Sequence, residues 1–250
     1  MLIVLMFHQV VPHMHGKTDT RRLKQFAHFL QDLQQHYHFT TPGQPLSSGI
    51  NICLTFDDAY FDFYHYLYPL FTSYQIPAVL GIVTNLVQES ADVPVYQRLG
   101  VNYPQGMAPQ QQKHHPLCTW KEMRTMVASG FIIPASHSAS HPDLNQLTLA
   151  ELDHEAMQSK NILAQQLNCS IHTFIYPYGK GNRFVQQQIA RHYTYIMRIG
   201  SAVNMIQSWE EPSLIYRMNA DFWWQRNRNI RAHRLIPAII KYYLNRWRGK

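Results

Sequence analysis

Two adjacent carboxylates end an apolar run in Asn51-Ile52-Cys53-Leu54-Thr55-Phe56-Asp57-Asp58-Ala59-Tyr60. Neighbouring acids repel each other and lose hydration on burial, so a strand that delivers both to one place calls for a compensating partner. A divalent cation is one such partner. It can take one carboxylate as ligand while the other, kept ionised by the same charge, accepts a proton from water on the ion. The plainer account has Asp57 capping a helix that starts near Tyr60, with Asp58 solvated. Further along, His137 and His141 stand four apart in Ser136-His137-Ser138-Ala139-Ser140-His141-Pro142-Asp143-Leu144, after the short apolar segment Phe131 to Ala135. Histidines at this spacing can converge on one ion from a helical turn or tight loop, and with one carboxylate they leave positions open for water and substrate. With 15 histidines in 250 residues a lone pair carries little weight. The conjunction of both patterns, each ending a strand-like run, carries more.

These segments resemble the motifs of the polysaccharide deacetylases, carbohydrate esterase family 4. Thr55-Phe56-Asp57-Asp58-Ala59-Tyr60 is similar to the first motif, usually TFDDG, and the stretch from His137 to Leu144 to the second, H-(S/T)-x-x-H-P. Phe174-Ile175-Tyr176-Pro177-Tyr178-Gly179 resembles the third. Thr119 to Met123, through Gly130-Phe131, is similar to the helix and strand that precede the histidine pair. Met6-Phe7-His8-Gln9-Val10 resembles the Y-H-x-V opening of the branch that deacetylates poly-N-acetylglucosamine. The likeness runs over residues 1 to 220.

The resemblance implies a fold, a reaction and roles. Asp57 would be the base, and Asp58, His137 and His141 would hold a divalent metal, Zn2+ first, with Co2+ or Ni2+ as alternatives. Spacing alone does not decide which aspartate is which. His8 would be the general acid, since the resemblance puts the acid at that strand end; the plainer account is a strand-edge histidine on a backbone hydrogen bond. Tyr178, with Tyr176 and Pro177, would line the substrate side, a backbone N–H near Tyr178 meeting the oxyanion. Two departures stand out. Ala59 replaces the usual glycine, which predicts a turn after Asp58 without positive φ. The third motif lacks the arginine that orients the basic aspartate, and Arg217 in Tyr216-Arg217-Met218 is its candidate substitute.

The elements that must position these residues alternate. Apolar runs at Leu2 to Phe7, Ile50 to Phe56, Pro77 to Thr84, Phe131 to Ala135, Ile171 to Tyr176, Tyr193 to Ile199 and Leu214 to Met218 read as strands. Helical spacing covers Thr20 to His36, Tyr60 to Tyr74, Thr119 to Ser129, residues 148 to 167, which open on the capping box Thr148 to Glu151, Arg183 to His192 and Asn229 to Trp247. Gly130 marks a helix end. Seven strands alternating with helices, together with the resemblance, predict an α/β fold, a distorted or incomplete (β/α)7 barrel. His8, Asp57, Asp58, His137, Tyr176 and Tyr178 all fall at or just past strand C-termini, where barrels place chemistry.

An apolar content of 46% over this length supports one large domain, expected over residues 1–225, with a basic amphipathic helix over 226–250. Residues 85–116, without periodicity, read as a long loop over the active face. Cys53, Cys118 and Cys169 show no paired spacing, which favours a reducing compartment. The first residues read as a strand rather than a leader, and no run approaches the roughly 18 apolar residues of a membrane span. The expected location is the cytoplasm or the cytoplasmic membrane face, or the periplasm if a leader was removed. Charge is concentrated at the end: eight of the 22 basic residues (Arg226, Arg228, Arg231, Arg234, Lys241, Arg246, Arg248 and Lys250) follow Asp221, the last acid, leaving 14 against 15 acids. Leu235, Ile236, Ile239, Ile240, Tyr243, Leu244 and Trp247 form a stripe among them. This reads either as a membrane-surface helix suited to a lipid-linked glycan or as a final barrel helix with a solvated basic face. No nucleic-acid module accompanies the charge. Phe222-Trp223-Trp224 would stack on sugar rings or pack on the barrel, and His114-His115 reads as a surface pair.

The leading expectation is a metal-dependent hydrolase that removes N-acetyl groups from an amino-sugar glycan or glycolipid. The alternatives are a deformylase or amidase on a lipid-linked sugar or small molecule, and a catalytically silent glycan-binding relative.

Overall fold

The computed structural model describes residues 1–14, 17–211, 214–224 and 235–248. Its strands are β1 (Leu2–Phe7), β2 (His13–Met14), β3 (Lys17–Thr18), β4 (His38–Phe39), β5 (Asn51–Phe56), β6 (Ala78–Ile82), β7 (Ile132–Ser136), β8 (Thr173–Ile175), β9 (Tyr195–Ile199) and β10 (Ile215–Asn219). Its helices are α1 (Thr20–His36), α2 (Tyr68–Tyr74), α3 (Val95–Leu99), α4 (Trp120–Ala128), α5 (Leu149–Leu167), α6 (Arg183–Ile189) and α7 (Ile236–Trp247). Among these residues seven parallel strands close into a barrel in the order β1-β5-β6-β7-β8-β9-β10 and back to β1. The fold is therefore the α/β, (β/α)7 barrel expected, and it is closed rather than incomplete. Closure comes from β1, which pairs along its length with β5, from Leu2 opposite Asn51 to Phe7 opposite Phe56, and on its other edge with Arg217 to Asn219. The wall is thinnest between β7 and β8, where Ser136 pairs with Phe174.

Apolar residues on both faces of these strands bury them between a barrel interior and a helical coat. Alternation sorts the side chains. Leu2, Val4, Cys53, Val79, Ala135, Ile175, Met197 and Ile215 fill the interior, while Ile3, Leu5, Phe7, Ile52, Leu54 and Phe56 join the core beneath the helices. The segment returning from β9 to β10 plugs the N-terminal end. Asn204 exchanges two 2.8 Å backbone hydrogen bonds with Leu2, and Ile206 and Trp209 lie buried against the interior cluster.

Three sequence expectations need correction. Residues 60–74 were expected as one helix, but Phe63–Leu67 is a π-helical turn leading into α2. Pro69 has no N–H to give an α-helical ladder, and the wider turn absorbs the gap. Residues 85–116 are not structureless: they carry α3 and 3-10 turns at Gln105–Met107 and Pro109–His114. Buried Arg98 pins them, bonding Glu122 at 2.6 and 2.9 Å, bonding the Leu117 and His115 carbonyls, and lying over the Phe61 ring. In α7, Leu235, Ala238, Tyr242 and Asn245 pack inward, so the predicted stripe is split: Leu235 belongs to the buried face, while Ile236, Ile240, Tyr243, Leu244 and Trp247 face solvent. Arg226, Arg228, Arg231, Arg234, Lys250 and the predicted helix start at Asn229 lie outside the described residues.

Candidate active site

Strand alternation sets the centre of the site. Thr55 follows Cys53 into the interior, and Asp57 continues that face because its N–H still donates to Phe7 O at 2.8 Å, one step past the end of β5. On β10, Arg217 follows Ile215 inward. Its Nη1 donates to Asp57 Oδ1 at 2.6 Å and to Thr55 Oγ1 at 3.2 Å, and its Nη2 donates to Asp57 Oδ2 at 2.9 Å. Both side chains are buried, and Gly81 makes room: a Cβ there would stand 3.2 Å from Ile175 and 3.5 Å from Asp57 Oδ1. Burial pushes the Asp57 carboxyl up, but the Arg217 guanidinium, helped by His137 and His8, outweighs it and holds the pKa at about 2.

Asp58 and Ala59 then turn the chain with φ of +68° and +53°. The expectation that alanine marks a turn without positive φ is thereby overturned. Left-handed backbone costs an L-residue roughly 1–2 kcal/mol, and here the turn is fixed by Cys118 N–H donating to Ala59 O at 2.7 Å. The turn swings Asp58 away from Arg217. Its Oδ1 is buried and accepts no hydrogen bond among the described residues. Burial, offset in part by His8 and reinforced by Asp57, lifts Asp58 to about 7.

Across the barrel, His137 N donates to Ile82 O at 2.9 Å, extending the β6–β7 pairing, and its Nδ1 lies 2.9 Å from Ile175 O. That contact leaves Nε2 facing Asp58 Oδ1 at 3.5 Å. His141 Nε2 meets the same oxygen at 3.6 Å. The loop between the histidines is held from α5, where the Glu155 carboxylate accepts from Ala139 N, Ser140 N and Ser140 Oγ at 2.8, 2.9 and 2.5 Å. Ser138 Oγ also accepts from His141 N at 2.9 Å. Burial drives His137 down to about 3 and also lowers His141, with Asp57 opposing in both cases. Both rings are therefore neutral near pH 7 and keep lone pairs to offer. Two neutral imidazoles and an orphaned buried carboxylate oxygen, all within 4.8 Å of one another, fit a divalent cation.

His8 follows β1 onto the same rim. Its backbone N–H donates to Asp221 Oδ1 at 2.8 Å, its Nδ1 lies 3.0 Å from Asp221 Oδ2, and Tyr103 stacks on its ring at 4.1 Å. Burial lowers its pKa, but the Asp221 hydrogen bond and the charges of Asp57, Asp221 and Asp58 outweigh that and raise it above the ordinary histidine value. Two residues on, Val10 N and Val11 N both donate to Asp62 Oδ2 at 2.9 Å, which fixes the course of the chain after His8.

The third motif is divided. Pro177 is buried at the rim and Tyr178, with φ +55°, lays an exposed ring edge-on to His141 at 4.6 Å. The Tyr176 ring instead packs outward in the core beside Phe174 and does not join the site. As C-terminal neighbour of β8 it has the opposite parity to Ile175, which faces in. Phe222 is exposed and Trp224 packs on Phe26. Sequence reasoning missed Asp221, Tyr103, Glu155 and Asp62. Asp221 carried one signal, an acid two residues past a strand end, and the other three carried none.

A family model for polysaccharide deacetylase matches residues 47–196, more than half of the chain. The chain belongs to the polysaccharide deacetylase family. Its members are hydrolases acting on the N-acetyl amide bonds of polysaccharides. Solved structures are similar as well. A deacetylase, PplD, from Streptococcus pyogenes, solved in complex with acetate, is 22% identical and has a TM-score of 0.66, covering 87% of this chain and 91% of that one. IcaB from Ammonifex degensii is 19% identical with a TM-score of 0.66, covering 90% and 94%. A de-N-acetylase from Aggregatibacter actinomycetemcomitans, also 19% identical with a TM-score of 0.66, covers 87% and 94%. At such identities the likeness establishes the shared fold. No curated protein matches the chain.

Proposed function

We propose that this polysaccharide deacetylase is metal-dependent and removes N-acetyl groups from an amino-sugar glycan or glycolipid, poly-N-acetylglucosamine being the nearest class. The observation that carries the reading is the buried, unpartnered Asp58 Oδ1 equidistant from His137 and His141, beside an Asp57 held ionised by Arg217. Asp58, His137 and His141 would hold the cation, with Zn2+ suited to this nitrogen and oxygen set and Co2+ or Ni2+ as substitutes. When bound it supplies Lewis acidity, making water nucleophilic near neutral pH and drawing charge from an acyl oxygen. Asp57 takes the proton of the attacking water, and Arg217 fixes the carboxylate and keeps it basic only as far as its charge allows. The Tyr178 backbone N–H meets the oxyanion, and His8, oriented by Asp221, gives its proton to the departing sugar amine.

The complete set argues against a catalytically silent relative, since Arg217 bonds the carboxylate that the missing third-motif arginine would have oriented. A peripheral contact between α7 and a membrane surface belongs to the same reading. The test is acetate release from N-acetylglucosamine oligomers by protein loaded with Zn2+. Turnover that is abolished by a chelator and restored by metal supports the proposal; formate release from N-formyl analogues without acetate release would replace it with a deformylase.

A further inference from the structure

α7 reaches the catalytic end of the barrel with one face unused. Asn245 donates to Gly200 O at 3.1 Å, and Gly200 directly follows the C-terminal end of β9, so the last turns of the helix lie beside the rim that carries the site. Tyr242 packs edge-on against Tyr216 on the same side. Opposite the packed face, Ile236, Ile240, Tyr243, Leu244 and Trp247 are 43–83% exposed, bordered by Lys241, Arg246 and Arg248. Next to the helix opens a cleft of about 200 Å³ lined by Arg198, Ser201, Tyr216, Lys241 and Asn245. Two cations, hydroxyls and an amide line it, with no carboxylate among the lining residues, a composition that suits a phosphate. Arg198 spends one arm on Gly181 O at 2.9 Å, and its Nε is buried without a hydrogen-bond partner among the described residues.

We propose that this face seats the protein on an anionic bilayer, the Arg198–Lys241 cleft receiving a lipid phosphate while Tyr243, Leu244 and Trp247 enter the headgroup boundary. Charge complementarity selects the occupant. Among the described residues Lys241, Arg246 and Arg248 border the stripe and no acid lies on α7, so a second copy of this face would press like charge against like, whereas an anionic surface is attracted. An exposed apolar stripe edged by Lys and Arg, with Trp and Tyr among its members, is the composition of an interfacial helix. No described helix is long and apolar enough to cross a membrane. The inference extends the membrane contact proposed above by assigning the lipid charge and the residues that read it. It does not depend on turnover.

The full chain would be mixed with vesicles of phosphatidylcholine alone and with phosphatidylcholine containing phosphatidylglycerol, and co-sedimentation followed. Binding is expected to the anionic vesicles only. It should fall about tenfold or more in Lys241→Glu, in Arg198→Gln and in Trp247→Ala, and weaken with salt, while Lys241→Glu and Trp247→Ala keep full hydrolysis of a soluble acetylated oligosaccharide. Equal binding to both vesicle types overturns the proposal. So does inorganic phosphate binding in the cleft without vesicle binding, which makes the cleft a free-phosphate site, or self-association abolished by Trp247→Ala, which makes the stripe an interface between copies. Vesicle binding without acetate release would sink the glycan reading and leave this one standing.

Discussion

Arg217 and Asp57 are joined by a two-armed ion pair across β1, the strand that separates β10 from β5, and the pair is buried. Removing one partner of such a pair strands the other charge, at a cost of about 3–5 kcal/mol. Arg217→Met is therefore expected to lower unfolding stability by that amount and acetate release by more than tenfold. Arg217→Lys keeps the charge but not the fork, and should recover stability better than activity. Chemical denaturation and steady-state kinetics on both variants check this.

Metal content and catalysis should separate at neighbouring positions. Asp57→Asn leaves Asp58, His137 and His141 in place, so bound Zn2+, counted by elemental analysis, should stay near one per chain while turnover falls about 10²- to 10⁴-fold. His137→Ala should lose both metal and turnover. Retention of tight metal by His137→Ala would show that the cation sits elsewhere.

The pH dependence of turnover should report the His8–Asp221 pair. A general acid must be protonated, so activity falls as pH rises through the His8 pKa, which Asp221 raises. Asp221→Asn removes that support, lowers the pKa and moves the alkaline limb of the profile to lower pH. Tyr103→Ala, which removes a stacked ring but no charge, should move the limb less. A profile in Asp221→Asn superimposable on the parent's would exclude His8 as the acid.

Glu155 touches neither candidate ligand ring, yet accepts three hydrogen bonds from the loop between them. Glu155→Ala leaves the buried Ala139 N–H unmet, at about 1–3 kcal/mol, strips two further bonds from the more open Ser140 and frees the loop that carries His141. Zn2+ affinity, measured by competition with a chelating dye, is expected to fall about 10- to 100-fold, as when partners behind metal ligands are lost elsewhere. Glu155→Gln, which still accepts through its carbonyl oxygen, should lose less.

Much of the barrel is readable along the chain because its strands are short apolar runs and its helices obey helical spacing; α1 and α5 occupy the predicted residues. The His137, His141 and Asp58 cluster is readable too, since Asp58 and His137 sit just past strand ends and His141 follows His137 by four residues. What sequence could not show is whatever depends on two segments meeting. Glu155 reads as an ordinary helix-surface acid until α5 packs behind the histidine loop. Tyr103 lies in an aperiodic stretch whose docking through buried Arg98 no local pattern announces. Ala59 misled because residue type reports only the usual cost of a left-handed turn, whereas here Asp58 and Ala59 are held in one by their neighbours. Arg217 was reached through the resemblance, as a stand-in for the missing third-motif arginine; that it turns inward after Ile215 to meet Asp57 is what the fold adds.

Ile206 and Trp209 cap the N-terminal end of an interior that side chains already fill, so among the described residues no passage runs through the barrel. A polysaccharide therefore meets the aspartate and histidine cluster only from the side where the strands end, and what is released leaves on that same side.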